Sequence, residues 1–265
     1  MDSLKAQNLL IKAYNAYEAS KLDRLNVPVD MAQFALTEKV TPQVTTYLCA
    51  TLLFTGKQRI TDRPARTIAN YLSITERTVY RHFEWLLDRN WMGKDEKNGW
   101  YFFRGIDDVR KAEGFKHRRS ARMIEADFKT VKEFFTGAVL NSICKTRNER
   151  TERKQGRSQQ SFTPISLTTL EKVFSISRKT AFTYRKNSGG KYYLMLQNLK
   201  QVSCIQPVDV HRLKGSHIDS VTLRLFGSTD TVTAKPEQLR THFGNVFVQL
   251  PNLIKPMMMI SKRTR

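Results

Sequence analysis

The chain has 265 residues, and its 45 Lys or Arg against 24 Asp or Glu give a formal net charge of +21 at pH 7. Because 40% of the residues are hydrophobic, the chain can bury real cores, which excludes a disordered basic tail. The charge surplus favours a polyanionic partner through counterion release and steering, and the length predicts two domains, with a small third left open.

The absence of several sequence features indicates where in the cell the protein works. No apolar run reaches the roughly eighteen residues of a membrane-spanning helix, and no signal peptide is recognisable, so we expect no membrane association. Cys49, Cys144 and Cys204 lie far apart, without the ligand spacing of a zinc site, and three cysteines are typical of a reducing cytoplasm. We therefore expect a cytoplasmic protein with a polyanionic partner and without a metal ion or cofactor.

The first forty residues predict a helical arm, which we assign to residues 1–40. One side of this helix carries apolar side chains, namely Leu9, Leu10, Tyr14 and Tyr17. Two roles stay open for the arm: it packs on the domain that follows, or it pairs with a second subunit to make a homodimer.

Residues 41–106 predict a winged helix-turn-helix domain, which begins with a helix of its own. Pro42 suits the first turn of this helix and Gly56 suits its end. Side chains that face the core recur at helical spacing, namely Val44, Tyr47, Leu48, Thr51, Leu52 and Phe54.

The stretch RTIANYLSITERTVYRHF, residues 66–83, predicts two short crossing helices. Their shared core is formed by Ile68, Leu72, Ile74, Val79 and Phe83. Ser73 occupies the tight turn, and Thr75 can cap the second helix by accepting a bond from a free backbone N–H. The outward face of this second helix, where a recognition helix meets base edges and phosphates, consists of Thr75, Glu76, Arg77, Tyr80, Arg81 and Glu84.

A β-hairpin is predicted directly after these helices. A helix over residues 75–90 leads into a polar turn at residues 93–99 and an aromatic strand at residues 100–103. Two helices followed by a hairpin make the winged form of the motif. Lys94 and Lys97 in the hairpin turn either touch phosphates or are solvated turn charges.

The helix pair resembles the helix-turn-helix families of bacterial, plasmid and phage regulators and replication proteins. Their usual run is close to A-x-x-L-G-I-S-x-R-T-V-x-R-x-L, which stands here as Ala69, Leu72, Ser73, Ile74, Thr75, Arg77, Thr78, Val79, Arg81 and Phe83. Only the Gly position departs seriously, and Ser is tolerated there at a modest conformational cost. The resemblance implies DNA contacts from the second helix, at Thr75, Arg77, Thr78, Tyr80 and Arg81.

Residues 107–161 predict a basic connecting helix and a flexible linker. The basic cluster at residues 115–122 supplies Arg118 and Arg119 as further candidates for phosphate contacts, and an apolar stripe over residues 123–143 predicts the helix. Residues 145–161 lose all large apolar side chains, which predicts a linker that either tracks phosphates or is a solvated spacer.

Residues 162–265 predict a second winged-helix-like domain with a strand-rich extension and a basic tail. The run FSISRKTAF, residues 174–182, repeats LSITERTVY, residues 72–80. In the repeat Ser177 is the cap, and the outward basic or polar residues are Arg178, Lys179, Thr183 and Lys186. Glu171 stands where the first copy has Ala69, so a chance similarity of two amphipathic segments stays an alternative.

Short strands and one further helix are predicted in the strand-rich extension. The strands fall at residues 202–205, 221–226, 231–233 and 246–250, and the helix begins at residues 236–240. The apolar segment at residues 253–260 is interrupted by Lys255 and Pro256, so we expect it to pack on the core or on a partner.

Catalysis has little support, because the five His residues are scattered and no nucleophile, phosphate-cradle or metal-ligand motif is present. The fold class expected is mainly α with β-hairpin wings, as tandem winged helix-turn-helix domains. The expected function is non-enzymatic, sequence-specific binding of double-stranded DNA in replication initiation or transcriptional control of a plasmid, phage or other mobile element. RNA binding, or a structural nucleoprotein component that binds nucleic acid non-specifically, are the alternatives.

Overall fold

A computed structural model describes residues 24–54, 63–116, 119–155, 163–196, 199–203, 220–242, 245–250 and 252–262. The helices are α1 (Val29–Thr37), α2 (Thr41–Leu53), α3 (Pro64–Leu72), α4 (Glu76–Asp88), α5 (Ile106–Ala112), α6 (Val131–Gln155), α7 (Leu167–Phe174) and α8 (Arg178–Ser188). The predicted helix around residues 9–17, the helix end at Gly56, and Arg118 and Cys204 lie outside the described residues.

The strands are β1 (Arg24–Pro28), β2 (Met92–Asp95), β3 (Trp100–Phe103), β4 (Arg119–Ile124), β5 (Thr163–Pro164), β6 (Tyr193–Leu196), β7 (Leu199–Ser203), β8 (Val221–Leu225), β9 (Thr231–Ala234), β10 (Leu239–His242), β11 (Asn245–Gln249), β12 (Leu253–Pro256) and β13 (Ile260–Lys262). Helices and sheets share the described part of the chain, so the fold is mixed α/β and carries more strand than the sequence patterns indicated.

The first predicted helix-turn-helix is present as α3 and α4, with α2 packed against both. Ile68 and Ala69 of α3, and Val79 and Phe83 of α4, are buried where the helices meet. The predicted first helix is confirmed as α2, and Pro42 lies in its first turn. The spacing of apolar residues thus located this part of the core correctly.

The predicted hairpin is confirmed as β2 and β3, which pair antiparallel with Met92 opposite Phe103. A Cβ at position 93 would lie 2.0 Å from the ring of Phe102, so any other residue there would displace this exposed ring. Trp91, immediately before β2, is fully buried, and its Nε1 donates to Oε1 of Glu113 at 2.7 Å. The base of the hairpin is therefore anchored to Glu113, which directly follows α5, and β2 packs on α4.

A three-stranded antiparallel sheet in the order β1-β4-β13 joins distant parts of the chain. The helical arm predicted at residues 1–40 is wrong for residues 24–28, because these residues form the strand β1, which precedes the helix α1. The basic cluster at residues 115–122 is also not the start of a helix, because residues 119–124 form β4. Alternation along β4, with Ala121 and Met123 buried, explains why the strand forms despite its charge.

The flexible linker predicted at residues 145–161 is wrong as far as Gln155, because α6 continues to that residue. Its polar side chains are used in contacts within the protein. Nζ of Lys145 donates to the Ile260 carbonyl oxygen at 2.7 Å, and Oδ1 of Asn148 accepts from Thr163 at 2.8 Å. A helix that packs on several elements can be polar along much of its length and still be ordered by them.

Helices α7 and α8 form the second predicted pair, and α8 packs on α6. Strands β5, β12 and β6 make a small sheet beside this pair. Between β6 and β12, the chain forms a five-stranded antiparallel sheet in the order β10-β11-β7-β8-β9, with a small core of its own around Leu223, Leu239 and Val248. The predicted strands at 221–226, 231–233 and 246–250 are present as β8, β9 and β11.

The helix predicted to begin at residues 236–240 is wrong. Residues 236–238 form one turn of 3₁₀ helix, and Leu239 begins β10. Pro236 is suited to the first turn of any helix, but Leu239 is fully buried in the small core, which favours the strand.

One continuous hydrophobic core contains both helix pairs. It includes Leu25 of β1, Phe83 of α4, Phe134 of α6, Phe174 of α7 and Ile254 of β12. The apolar segment at residues 253–260 packs on this core, which is one of the two alternatives expected for it. Helix α6 thus supports α1 on one side and α8 on the other, which positions the second helix pair.

Candidate nucleic-acid interface

The turn between α3 and α4 has the geometry that a helix-turn-helix needs. Ser73 adopts the left-handed conformation, with φ 55° and ψ 45°, and the Ile74 amide donates to the Ala69 carbonyl oxygen at 3.0 Å. Thr75 is extended, and its Oγ1 accepts from the amide of Thr78 at 3.2 Å. The cap predicted at Thr75 is therefore confirmed, and it fixes where α4 begins.

The outward face of α4 is exposed to solvent. All six residues assigned to it from helical spacing are exposed: Thr75, Glu76, Arg77, Tyr80, Arg81 and Glu84. Thr78 is partly buried, and its hydroxyl lies 2.9 Å from that of Thr75. The ring of Tyr80 is held edge-on to buried Phe83, with ring centroids 6.0 Å apart, while 47% of Tyr80 stays exposed. This face thus presents two guanidinium groups and a phenol.

The opposite face of α4 is fixed to α2 by a buried polar contact. Nδ1 of His82 lies 2.7 Å from Oγ1 of Thr46, and both residues are buried. Burial, followed by the neighbouring charge of Arg81, lowers the pKa of His82 below its ordinary value. The imidazole is therefore neutral at pH 7, and the contact orients α4 without adding charge beneath it.

The second helix pair repeats the turn of the first. Ser175 is left-handed, with φ 50° and ψ 44°, and the Ile176 amide donates to the Glu171 carbonyl oxygen at 3.3 Å. Oγ of Ser177 accepts from the amide of Thr180 at 3.3 Å, so the predicted cap of α8 is confirmed. The two turns agree in both cap chemistry and backbone angles, although Glu171 replaces the small Ala69.

The outward face of α8 is more basic than that of α4. Ser177, Arg178, Lys179, Thr183 and Lys186 are all exposed, as the repeat predicted. Oε2 of Glu171, on α7, lies 3.9 Å from Nη1 of Arg178. Because α8 carries no acidic residue, its surface attracts phosphate more strongly than that of α4, which contains Glu76 and Glu84.

The hairpin and β4 bear the remaining candidate residues. Lys94 and Lys97 are exposed, and Nζ of Lys94 lies 3.7 Å from Glu96. Arg119 is different, because its guanidinium donates to Ser142 and Thr146 of α6 and pairs with Glu149 at 2.7 Å. Its side chain is 13% exposed. We therefore remove Arg119 from the candidate interface and assign it to packing between β4 and α6.

Two residues of the second pair were missed by the sequence patterns. Phe182 occupies the position of Tyr80 in the repeat and is 50% exposed, so the alignment of the two copies could have identified it. Arg185 follows three residues later and is buried, which no local pattern indicated. Each outward helix face therefore carries one exposed aromatic ring, and only the second pair contains a buried guanidinium.

Other kinds of site have no support among the described residues. No group of three or more His, Cys, Asp or Glu side chains there could hold a metal ion. Within the same ranges, no helix combines the length and the apolar character needed to cross a lipid bilayer.

Comparison with known proteins adds little. No protein-family model and no curated protein sequence matches the chain. One solved structure, titled "Crystal structure of T. acidophilum IdeR", matches with 12% sequence identity over 78% of this chain and 97% of that chain, at a TM-score of 0.20. Likeness at that level carries no argument about function, so the proposal below rests on the residues themselves.

Proposed function

We propose that the protein binds double-stranded DNA in a sequence-specific manner, without catalysis, through the exposed faces of α4 and α8. The observation that supports this proposal is the repeated geometry of the two helix pairs. In each pair a left-handed Ser and a hydroxyl cap fix a second helix whose outer face is solvent-exposed and contains basic residues. A recognition helix in the major groove needs such an exposed face.

The roles proposed for individual residues follow from their chemistry. Arg77 and Arg81 on α4 can each donate two hydrogen bonds to a guanine, which contributes roughly 1–3 kcal/mol of discrimination per good pair. Tyr80 and Phe182 can contact thymine methyl groups, because apolar rings suit that edge of the base pair. Arg178, Lys179 and Lys186 supply phosphate contacts on α8, and Lys94 and Lys97 supply them from the hairpin.

We propose that the role of the protein in the cell is replication initiation or transcriptional control of a plasmid, phage or other mobile element. This narrower role rests on the resemblance of residues 69–83 to the regulators and replication proteins of such elements. Two linked recognition helices also suit it, since the second binding event becomes intramolecular and raises the overall affinity.

The test begins with selection of duplexes from a random library by the full chain, followed by fluorescence anisotropy at several salt concentrations. We expect an enriched motif that the protein prefers to scrambled duplex by at least about 10³-fold. Arg77→Gln should relax the preference at one base pair, with a loss of roughly 5- to 100-fold against the selected base.

Lys111→Gln is the matched control, because it removes one positive charge from an exposed position on α5. It should leave the sequence preference unchanged. If no motif is enriched, and duplex DNA and duplex RNA bind equally well, the result favours a non-specific nucleoprotein component over sequence-specific binding.

A further inference from the structure

A cleft of about 620 Å³ lies between the second helix pair and the five-stranded sheet. Four basic side chains line it, Arg178 and Arg185 from α8 and Lys235 and Arg240 from the sheet side, together with one acidic side chain, Glu237. Leu167 and Thr168, the first two residues of α7, also line it. The first-turn amides of a helix lack partners within that helix and carry partial positive charge.

Arg185 is the unusual member of this group. The residue is only 7% exposed, and its side chain has no hydrogen-bond or ion-pair partner among the described residues. Burial lowers the pKa of Arg185, Tyr193 opposes this effect and Arg178 adds to it, but a guanidinium remains charged at neutral pH. A buried cation without a counter-ion is costly, and a proper partner would remove most of that cost.

The other charged side chains of the cleft leave the Arg185 guanidinium free to bind a ligand. Arg240 is held in place, since its Nη1 donates to the carbonyl oxygens of Glu237 at 2.6 Å and Leu239 at 2.8 Å. Arg178 is 70% exposed, and its contact with Glu171 is long, at 3.9 Å. The one carboxylate that lines the cleft, Glu237, belongs to an exposed residue, so it does not neutralise the buried guanidinium.

We propose that this cleft binds a phosphate group, with Arg185 as the buried anchor and Arg178 and Lys235 on either side. The planar fork of a guanidinium matches two phosphate oxygens, and the amides at the start of α7 suit a third. Backbone phosphate of DNA held on α8 is the favoured source, because Arg178 belongs both to the outward face of α8 and to the cleft. In that form the inference rests on the proposed function.

Two measurements on the full-length protein test the site. In the first, inorganic phosphate and then pyrophosphate are titrated at constant ionic strength while the arginine side-chain Nε–Hε signals are followed by NMR. We expect a saturable shift of the Arg185 signal. Arg185→Gln lacks that signal, so its binding is followed by the Arg178 signal and should be about tenfold weaker, because a charge-assisted contact is lost. Lys235→Gln, on the opposite wall, should also weaken binding, whereas Lys111→Gln should not.

The second measurement is binding of duplex DNA across a salt series. If the phosphate is part of DNA, Arg185→Gln should lower the slope of log affinity against log salt by about 0.9. If the phosphate-dependent shift of Arg178 is lost in Arg185→Gln but duplex binding is unchanged, the site stands and takes a free phosphate-bearing ligand. Wild-type protein that binds phosphate but no duplex would refute the proposed function while supporting this site.

The inference is overturned if the Arg185 signal responds neither to phosphate nor to duplex. It is equally overturned if Arg185→Gln and Lys235→Gln leave both binding curves as in the wild type, since general surface charge would then account for any attraction. Circular dichroism melting of each variant checks that it is folded, and exposed Lys235 provides a variant that does not disturb the interior.

Discussion

Asn141 is a buried polar residue of α6, only 1% exposed, and the contribution of its hydrogen bonds to stability can be measured. Its Nδ2 donates to the carbonyl oxygens of Gly137 at 2.7 Å and Tyr192 at 3.0 Å, and its Oδ1 accepts from the amide of Met258 at 2.9 Å. One side chain therefore joins α6 to the chain just before β6 and to the segment between β12 and β13.

Replacement of Asn141 by Leu keeps the volume roughly constant but removes both long-range partners. The Met258 amide would lose its bond inside the protein, and an orphaned backbone group of this kind costs about 1–3 kcal/mol. The Tyr192 carbonyl keeps the bond that it accepts from the Met257 amide at 3.2 Å. The carbonyl of Gly137 keeps its helical bond, so its loss adds little. We expect the free energy of unfolding to fall by about 1–3 kcal/mol, measured by urea denaturation followed by circular dichroism.

Asn70→Leu is the control, because it makes the same substitution at an exposed position of α3. Its effect should stay within about 0.5 kcal/mol of the wild type. If Asn141→Leu were no less stable than this control, the polar contacts of α6 would not hold the second helix pair in place.

Three further results are expected. Thr75→Ala and Ser177→Ala should each lower the free energy of unfolding by about 1 kcal/mol in denaturant melts, since each removes a helix cap, whereas Thr75→Ser should not. The pKa of His82 is lowered from 6.5 by burial, so its contribution to stability is complete above about pH 6.5 and is lost as the pH falls below that value. Unfolding measured at pH 7.5 and 5.5 should show this loss, and the loss should be smaller in His82→Gln. Burial raises the pKa of Cys49 to about 12 and of Cys144 to about 11, so both thiols should resist alkylation at pH 8 until the protein is unfolded, as judged by peptide mass spectrometry. Rapid labelling of either thiol in the native protein would contradict its burial.

The features that local chemistry determines were predictable from the sequence. A Ser in the turn, a hydroxyl cap one residue after the following Ile, and apolar side chains at helical spacing identify both helix pairs, because each interaction lies within about ten residues. The hairpin was predictable for the same reason, since its turn and its aromatic strand are contiguous. Even the exposure of Arg77 and Arg178 follows from helical periodicity once the cap is known.

The predictions that were wrong concern features that depend on contacts between residues distant in the sequence. Arg119 was assigned to a phosphate contact, but its partner Glu149 lies thirty residues away on α6, where no local pattern indicates it. Similarly, β4 is ordered by β1 and β13, which come from opposite ends of the described chain. Residues 145–155 were assigned to a linker because they lack large apolar groups, although their polar groups find partners on other elements.

If the protein binds DNA as proposed, the difference in charge between the two outward faces predicts different roles for α4 and α8. On α4, Glu76 and Glu84 oppose close approach to phosphate, so Arg77 and Arg81 are favoured mainly where base edges accept their hydrogen bonds. On α8, Arg178 and Lys179 meet no such opposition from their own helix and gain from any phosphate. The salt dependence of binding should therefore reside mainly in α8 and the sequence preference mainly in α4. In the proposed complex, one helix pair would hold DNA of any sequence while the other, fixed to it by one continuous core, tests the sequence.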